Sequence, residues 1–131
     1  MTTQGKILEE LGRRAVACKH WRWMPGMTIL GSKGRRVVVI GLSGATEATS
    51  GMNSRAIGPD ELPDLSSPAT LGCLLALVRE VTGEQSSSPS WYPGGKHDYP
   101  HWAWYSDSCY GKLCEGSTEA ECLVRVLEYK Q

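Results

Sequence analysis

The chain has no phenylalanine; its aromatic residues are five tryptophans and five tyrosines. Every aromatic ring therefore carries an N–H or O–H group, which favours rims, pockets and interfaces over deep cores. Net charge is absent as well, because 14 basic side chains balance 14 acidic ones. No overall field draws the chain to nucleic acid or anionic lipid, so any such binding needs a local patch. No apolar run approaches the roughly 20 residues of a membrane-spanning helix. The first residues, MTTQGKILEE, lack the apolar centre of a secretory signal. These absences point to a cytoplasmic protein with no membrane partner. The five cysteines, Cys18, Cys73, Cys109, Cys114 and Cys122, are odd in number, and two of them fall on apolar faces of expected helices. That pattern fits reduced thiols used as small core residues better than a disulfide framework.

A chain of 131 residues suffices for one core but not for two independent ones, so a single domain over residues 1–131 is expected. Ile7, Leu8, Leu11, Ala15 and Cys18 recur at helical spacing, with acidic-to-basic pairs Glu9/Arg13 and Glu10/Arg14 on another face. A helix over about residues 4–18 follows. Gly12 interrupts it at a cost of about 1 kcal/mol relative to Ala, which close packing or a bend would explain. Trp21, Trp23 and Met27 then alternate with polar or small residues before a β-branched run, Arg35–Leu42. Two strands are expected, joined through Gly31–Gly34, with Pro25 confining the first to an edge or a bulge.

Residues 43–66 are rich in Gly, Ser, Thr and Pro and read as a long flexible loop; 83–98 read as a second. Between them Ser67 as N-cap, Pro68 at the first helical position and Gly83 past the end frame a helix that is apolar on nearly all sides. Trp102 and Trp104 suggest a strand that turns back through 106–108 into CYGKLC. Thr118 and Glu121 form a capping box for a last helix with Ala120, Leu123, Val124 and Leu127 on its apolar face. The order is α-β-β-α-β-β-α, an α+β fold with a mostly antiparallel sheet packed against about three helices.

The charged first helix leading into Trp21-x-Trp23, the central PDLSSPATLGCLLALVRE segment and the closing STEAECLVRVLE helix resemble small uncharacterised proteins of tailed phages and prophages. The nearest named grouping is the phage ABA sandwich domain. The resemblance covers Leu11–Trp23, Pro63–Val81 and Ser117–Leu127, with the loops unmatched. It implies an α+β sandwich encoded by a phage and working in the host cytoplasm. It carries over no activity and no functional residues.

Four constellations could hold chemistry. His97 and His101 followed by Cys109 and Cys114 supply the ligand types of tetrahedral zinc, although a zinc finger usually places a tight Cys pair first. The plainer reading puts the thiols on a hairpin and the histidines in a loop. Cys18 with His20 resembles a nucleophile and base, but the C-terminal end of a helix disfavours a thiolate, and His20 better complements that helix end. The basic residues Arg13, Arg14, Lys19 and Arg22 beside Trp21 and Trp23 suit phosphates and bases. Yet Trp21 and Trp23 share one face of a strand, as core aromatics would. Trp91, Tyr92, Tyr99, Trp102, Trp104, Tyr105 and Tyr110 form the largest aromatic group and the principal binding candidate. A minor core beneath the loops is its structural alternative.

The leading expectation is a non-enzymatic phage accessory protein, needing no cofactor, that binds a host protein through its aromatic second half. Inhibition of a host antiviral defence system is one form of it. A nucleotide or small-molecule sequestering protein with a Trp/Tyr-lined pocket is the alternative, and a zinc-binding protein the third.

Overall fold

A computed structural model describes residues 3–30, 37–39, 44–47, 54–57, 60–84, 87–96, 99–105 and 112–130. These residues form an α+β fold with three helices and two antiparallel sheets. Helices α1 (Thr3–Ala17), α2 (Pro68–Thr82) and α3 (Glu119–Tyr129) follow the expected order. The chain divides into two compact units, one comprising Met1–Ala17 and Trp21–Cys73, the other Cys18–His20 and Leu74–Gln131. The start of α2 belongs to the first and its remainder to the second.

In the first unit, β1 (Thr28–Ile29), β2 (Val37–Val39), β3 (Gly44–Glu47) and β4 (Ser54–Ala56) form an antiparallel meander in chain order. Strands β3 and β4 lie inside the stretch that the sequence reads as a loop. GATE and SRA hold a single β-branched residue between them, so the ladder that each preceding strand offers, β2 to β3 and β3 to β4, rather than intrinsic propensity, selects them. The first strand begins later than the Trp pattern suggests. Residues 21–24 run without regular structure into a turn at Pro25 and Gly26, where Gly26 takes φ +100° and its N–H donates to the Val39 carbonyl at 2.9 Å. Trp21 and Trp23 meet edge to face at 5.4 Å and pack, partly buried, against the Met27, Ile29 and Val39 core. The connection at 31–34 lies outside the described residues.

The glycine inside α1 lies where the helix packs closely. A Cβ on Gly12 would sit 3.4 Å from both Leu62 Cβ and the Pro63 carbonyl oxygen, at the near edge of ordinary van der Waals contact. The segment it touches is tied to β1: Leu30 N–H donates to the Leu62 carbonyl at 2.7 Å, and Asp64 N–H to the Thr28 carbonyl at 2.9 Å. The Thr28 N–H donates to Thr70 Oγ1 at 2.9 Å, which satisfies a fully buried hydroxyl at the start of α2.

In the second unit, β5 (Ser90–Tyr92), β6 (His101–Tyr105) and β7 (Lys112–Gly116) make an antiparallel sheet with β6 in the centre. Helix α2 ends as its signals require: Gly83 has φ +75° and its N–H donates to the Arg79 carbonyl at 2.9 Å. Helix α3 packs against β7 and β6. Its N-cap is the Thr118 hydroxyl, which accepts from Glu121 N–H at 3.1 Å. The return arm of the box is rerouted. The Glu121 carboxylate takes Ser117 Oγ–H at 3.2 Å and pairs with Arg125 at 3.1 Å. Thr118→Ala is expected to cost about 1 kcal/mol, read as a lower urea midpoint at unchanged slope. An unchanged midpoint would remove the cap from the account.

Candidate functional site

The two faces of the β5–β6–β7 sheet differ in role, and the alternation of side chains along β6 creates the difference. One face meets α3: a Cβ on Gly116 would lie 2.7 Å from the Cys122 backbone nitrogen. Trp102 pairs with Gly116, and Trp104 with Cys114, so all four residues share that face. Trp104 is completely buried, and its Nε1–H donates to Glu84 Oε2 at 3.1 Å. Trp91, opposite Trp102 in the register, packs on it at 5.6 Å and stays 49% exposed.

The other face, turned away from α3, carries a row of rings. Tyr99 lies 5.1 Å from His101, His101 stacks on Tyr92 at 5.5 Å, and Tyr92 meets Tyr105 at 5.7 Å. The tyrosines stay exposed, at 56%, 36% and 39% for Tyr99, Tyr92 and Tyr105, whereas His101 beneath them is buried. His101 Nδ1–H donates to the Tyr99 carbonyl at 2.8 Å, since a carbonyl can only accept. Its Nε2 lies 3.7 Å from Glu115 Oε2, and the Tyr99 hydroxyl donates to the other Glu115 oxygen. Both bonds fix the Tyr99 segment to the sheet, one through its backbone and one through its hydroxyl. Removal from water, then the hydrogen bond with Tyr105, pushes the Tyr92 phenol above its ordinary pKa. It remains a neutral hydrogen-bonding group at neutral pH.

The structure thus separates the aromatic candidates. Tyr92, Tyr99 and Tyr105 come together on an exposed face, joined by His101 and Glu115. Trp104 belongs to the packed face, and Trp91 and Trp102 form a half-exposed pair on that same side. Tyr110 lies outside the described residues. Glu115 escaped the sequence reading, and the register partner Ala103 supplies the missing signal: it sets Glu115 on the His101 face.

Of the zinc ligand candidates, His97 and Cys109 lie outside the described residues. His101 and Cys114 occupy opposite faces of the sheet, so these two do not converge on one ion. Among the described residues no group of three or more His, Cys, Asp or Glu is placed to hold a metal. Burial pushes the Cys114 thiol up, and burial first, then the Cys114 thiol, pushes that of Cys122 up to about 12. Both are weak nucleophiles at neutral pH. Cys18 is buried just past the end of α1. His20 Nε2–H donates to the Lys130 carbonyl at 3.2 Å, so it complements the end of α3 instead of the end of α1.

The basic group is engaged within the chain. Arg13 pairs with Glu9 one helical turn before it and with Glu10 at 3.6 Å. Arg14, Lys19 and Arg22 are also engaged by interactions within the chain. Arg13 and Glu9 line a cleft of about 420 Å³ with Val16, Ala17, Asp60 and Leu62. Its two carboxylates against one guanidinium do not suit a phosphate.

No protein-family model, curated protein or solved structure matches this chain.

Proposed function

We propose that this chain is a non-enzymatic binding protein whose working surface is the tyrosine row of the second unit. The observation that carries the reading is the concentration of exposed aromatic area. Of seven exposed large apolar or aromatic side chains among the described residues, three, Tyr92, Tyr99 and Tyr105, share this one face. Tyrosines that are anchored below and bare above match the composition of protein interfaces, where a rigid ring adds contact area at low entropic cost. The high thiol pKa of Cys122 and the use of His20 at a helix end support binding over nucleophilic catalysis. The occupant we propose is a host protein, with the chain acting as a phage accessory factor, for instance against an antiviral defence system. The phage setting rests on the sequence resemblance described above.

The test is capture from host extract with the intact chain and with Tyr99→Ser. Interface aromatics of this kind are worth about 2 kcal/mol or more, roughly 30-fold in Kd. We expect one enriched protein whose affinity falls by that much in the variant and is unchanged in Tyr129→Ser. A partner indifferent to Tyr99 would overturn the assignment. Quenching of tryptophan emission by free nucleotides, relieved in Tyr99→Ser, would replace the host protein by a nucleotide.

A further inference from the structure

We infer that Cys114 and Cys122 form a paired modification site, a dithiol that closes into an intramolecular disulfide when the chain meets a small disulfide such as oxidised glutathione. Both are free thiols, Cys122 buried in α3 and Cys114 half-buried on β7. The register sets Cys114 opposite Trp104 and Gly116 opposite Trp102, so Cys114 faces α3. At Gly116 the two backbones meet: a Cβ there would lie 2.7 Å from the Cys122 nitrogen and 2.9 Å from Glu121 Cβ. Further along the helix Arg125 Nη1 donates to the Glu115 carbonyl at 3.1 Å, so α3 stays against β7 on the way from Gly116 to Cys114. The turn of helix from Cys122 to Arg125 thus covers Cys114. The electrostatics agree: after burial, the Cys114 thiol is the next cause of the high Cys122 pKa, and Arg125 acts on both sulfurs. A disulfide requires Cα atoms within about 7 Å of each other, a short span that the contact at Gly116, bare of any side chain, makes available.

Thiol–disulfide exchange balances in two steps. Cys114, the more accessible of the two, loses its proton and attacks one sulfur of oxidised glutathione; the S–S bond breaks, and the departing glutathione thiolate takes up a proton. Cys122 then loses its proton and attacks the Cys114 sulfur of the mixed disulfide, which releases the second glutathione as a thiol. The two cysteines give up two electrons and two protons, and one oxidised glutathione becomes two reduced ones. Burial, the larger influence on Cys114, pushes its thiol up, and the Arg125 guanidinium pulls it back down. The pair therefore closes slowly at neutral pH and faster as the pH rises and thiolate forms. Neither step involves the tyrosine row, which lies on the other face of the sheet.

The experiment incubates the folded full chain with oxidised glutathione at mildly alkaline pH, alkylates the remaining thiols and measures peptide masses after trypsin. Trypsin cuts after Lys112 and Arg125, so both cysteines fall in one peptide, Leu113–Arg125, and Cys109 in another. We expect Leu113–Arg125 to become lighter by two hydrogens and to escape alkylation, with dithiothreitol reversing the change and the rate rising with pH. In Cys122→Ser the reaction should stop with one glutathione on Cys114; in Cys114→Ser, Cys122 should stay unmodified. Circular dichroism spectra like that of the parent establish that the variants fold. Should either not fold, the peptide of the parent chain decides alone. The inference fails if Leu113–Arg125 keeps both thiols over a period in which the urea-unfolded chain oxidises fully. It fails equally if that peptide retains glutathione without closing, or if Cys109 is the residue that links to Cys114.

Discussion

Replacing Trp104 by Ala is expected to destabilise the second unit by about 3–5 kcal/mol, the cost of emptying the site of a large buried aromatic. Trp104 sits on the central strand β6, opposite Cys114 and completely buried on the face that meets α3. The substitution removes the ring's apolar area and leaves a cavity, and it deletes the hydrogen bond from Nε1 to Glu84 Oε2. Trp104→Phe separates the two effects. It keeps most of the apolar body and loses the donor, so a cost of about 1–2 kcal/mol is expected from the smaller volume and the lost bond. Urea denaturation followed by tryptophan emission reads both. A cost under about 1 kcal/mol for the alanine variant would mean that Trp104 does not face the core, and the assignment of faces along β6 would fall with it.

Leu77→Ala is expected to cost about 2–5 kcal/mol. Leu77 lies with Thr70, Leu74 and Val78 on the fully buried side of α2, whereas Gly72, Ala76 and Glu80 form an exposed stripe at four-residue spacing. The sequence makes this helix look apolar all round because that stripe opens with glycine and alanine, which count as non-polar and yet bury nothing. Ala76→Ser, on the same helix but outside the core, is expected to stay within about 0.5 kcal/mol of the parent. Equal costs for the two variants would mean that α2 is rotated from the position described.

How much of this was legible in the sequence differs by element. The helices were: α1 through its apolar period, and α2 and α3 because each carries a terminal signal whose chemistry is local, Pro68 and Gly83 on α2, Thr118 with Glu121 on α3. Their ends are set within a few residues and need no knowledge of the rest of the chain. Strands β3 and β4 were not, since little in GATE or SRA beyond Thr46 prefers an extended backbone over a loop; pairing with the preceding strand, β2 for β3 and β3 for β4, selects them. For the site, the aromatic composition directed attention to the right segment, but one-dimensional spacing could not sort the rings. Trp104 and Tyr105 are adjacent in sequence and opposite in role, and a register irregularity falls between them. Glu115 joins the tyrosines through cross-strand pairing, which no motif reports. The spacing of His101 suits a metal ligand; the structure uses it as the buried support on which Tyr92 and Tyr99 rest.

The central claim is that the face of β5 and β6 turned away from α3 is a binding surface and not a second packing surface. The most direct measurement is the affinity of Tyr99→Ser for the captured partner, set beside its urea midpoint. The account predicts a Kd raised by roughly 30-fold or more, with a midpoint lowered by only about 1 kcal/mol equivalent, the loss of the exposed hydrogen bond to Glu115. An unchanged Kd, or a midpoint that falls as far as that of Trp104→Ala, would contradict it.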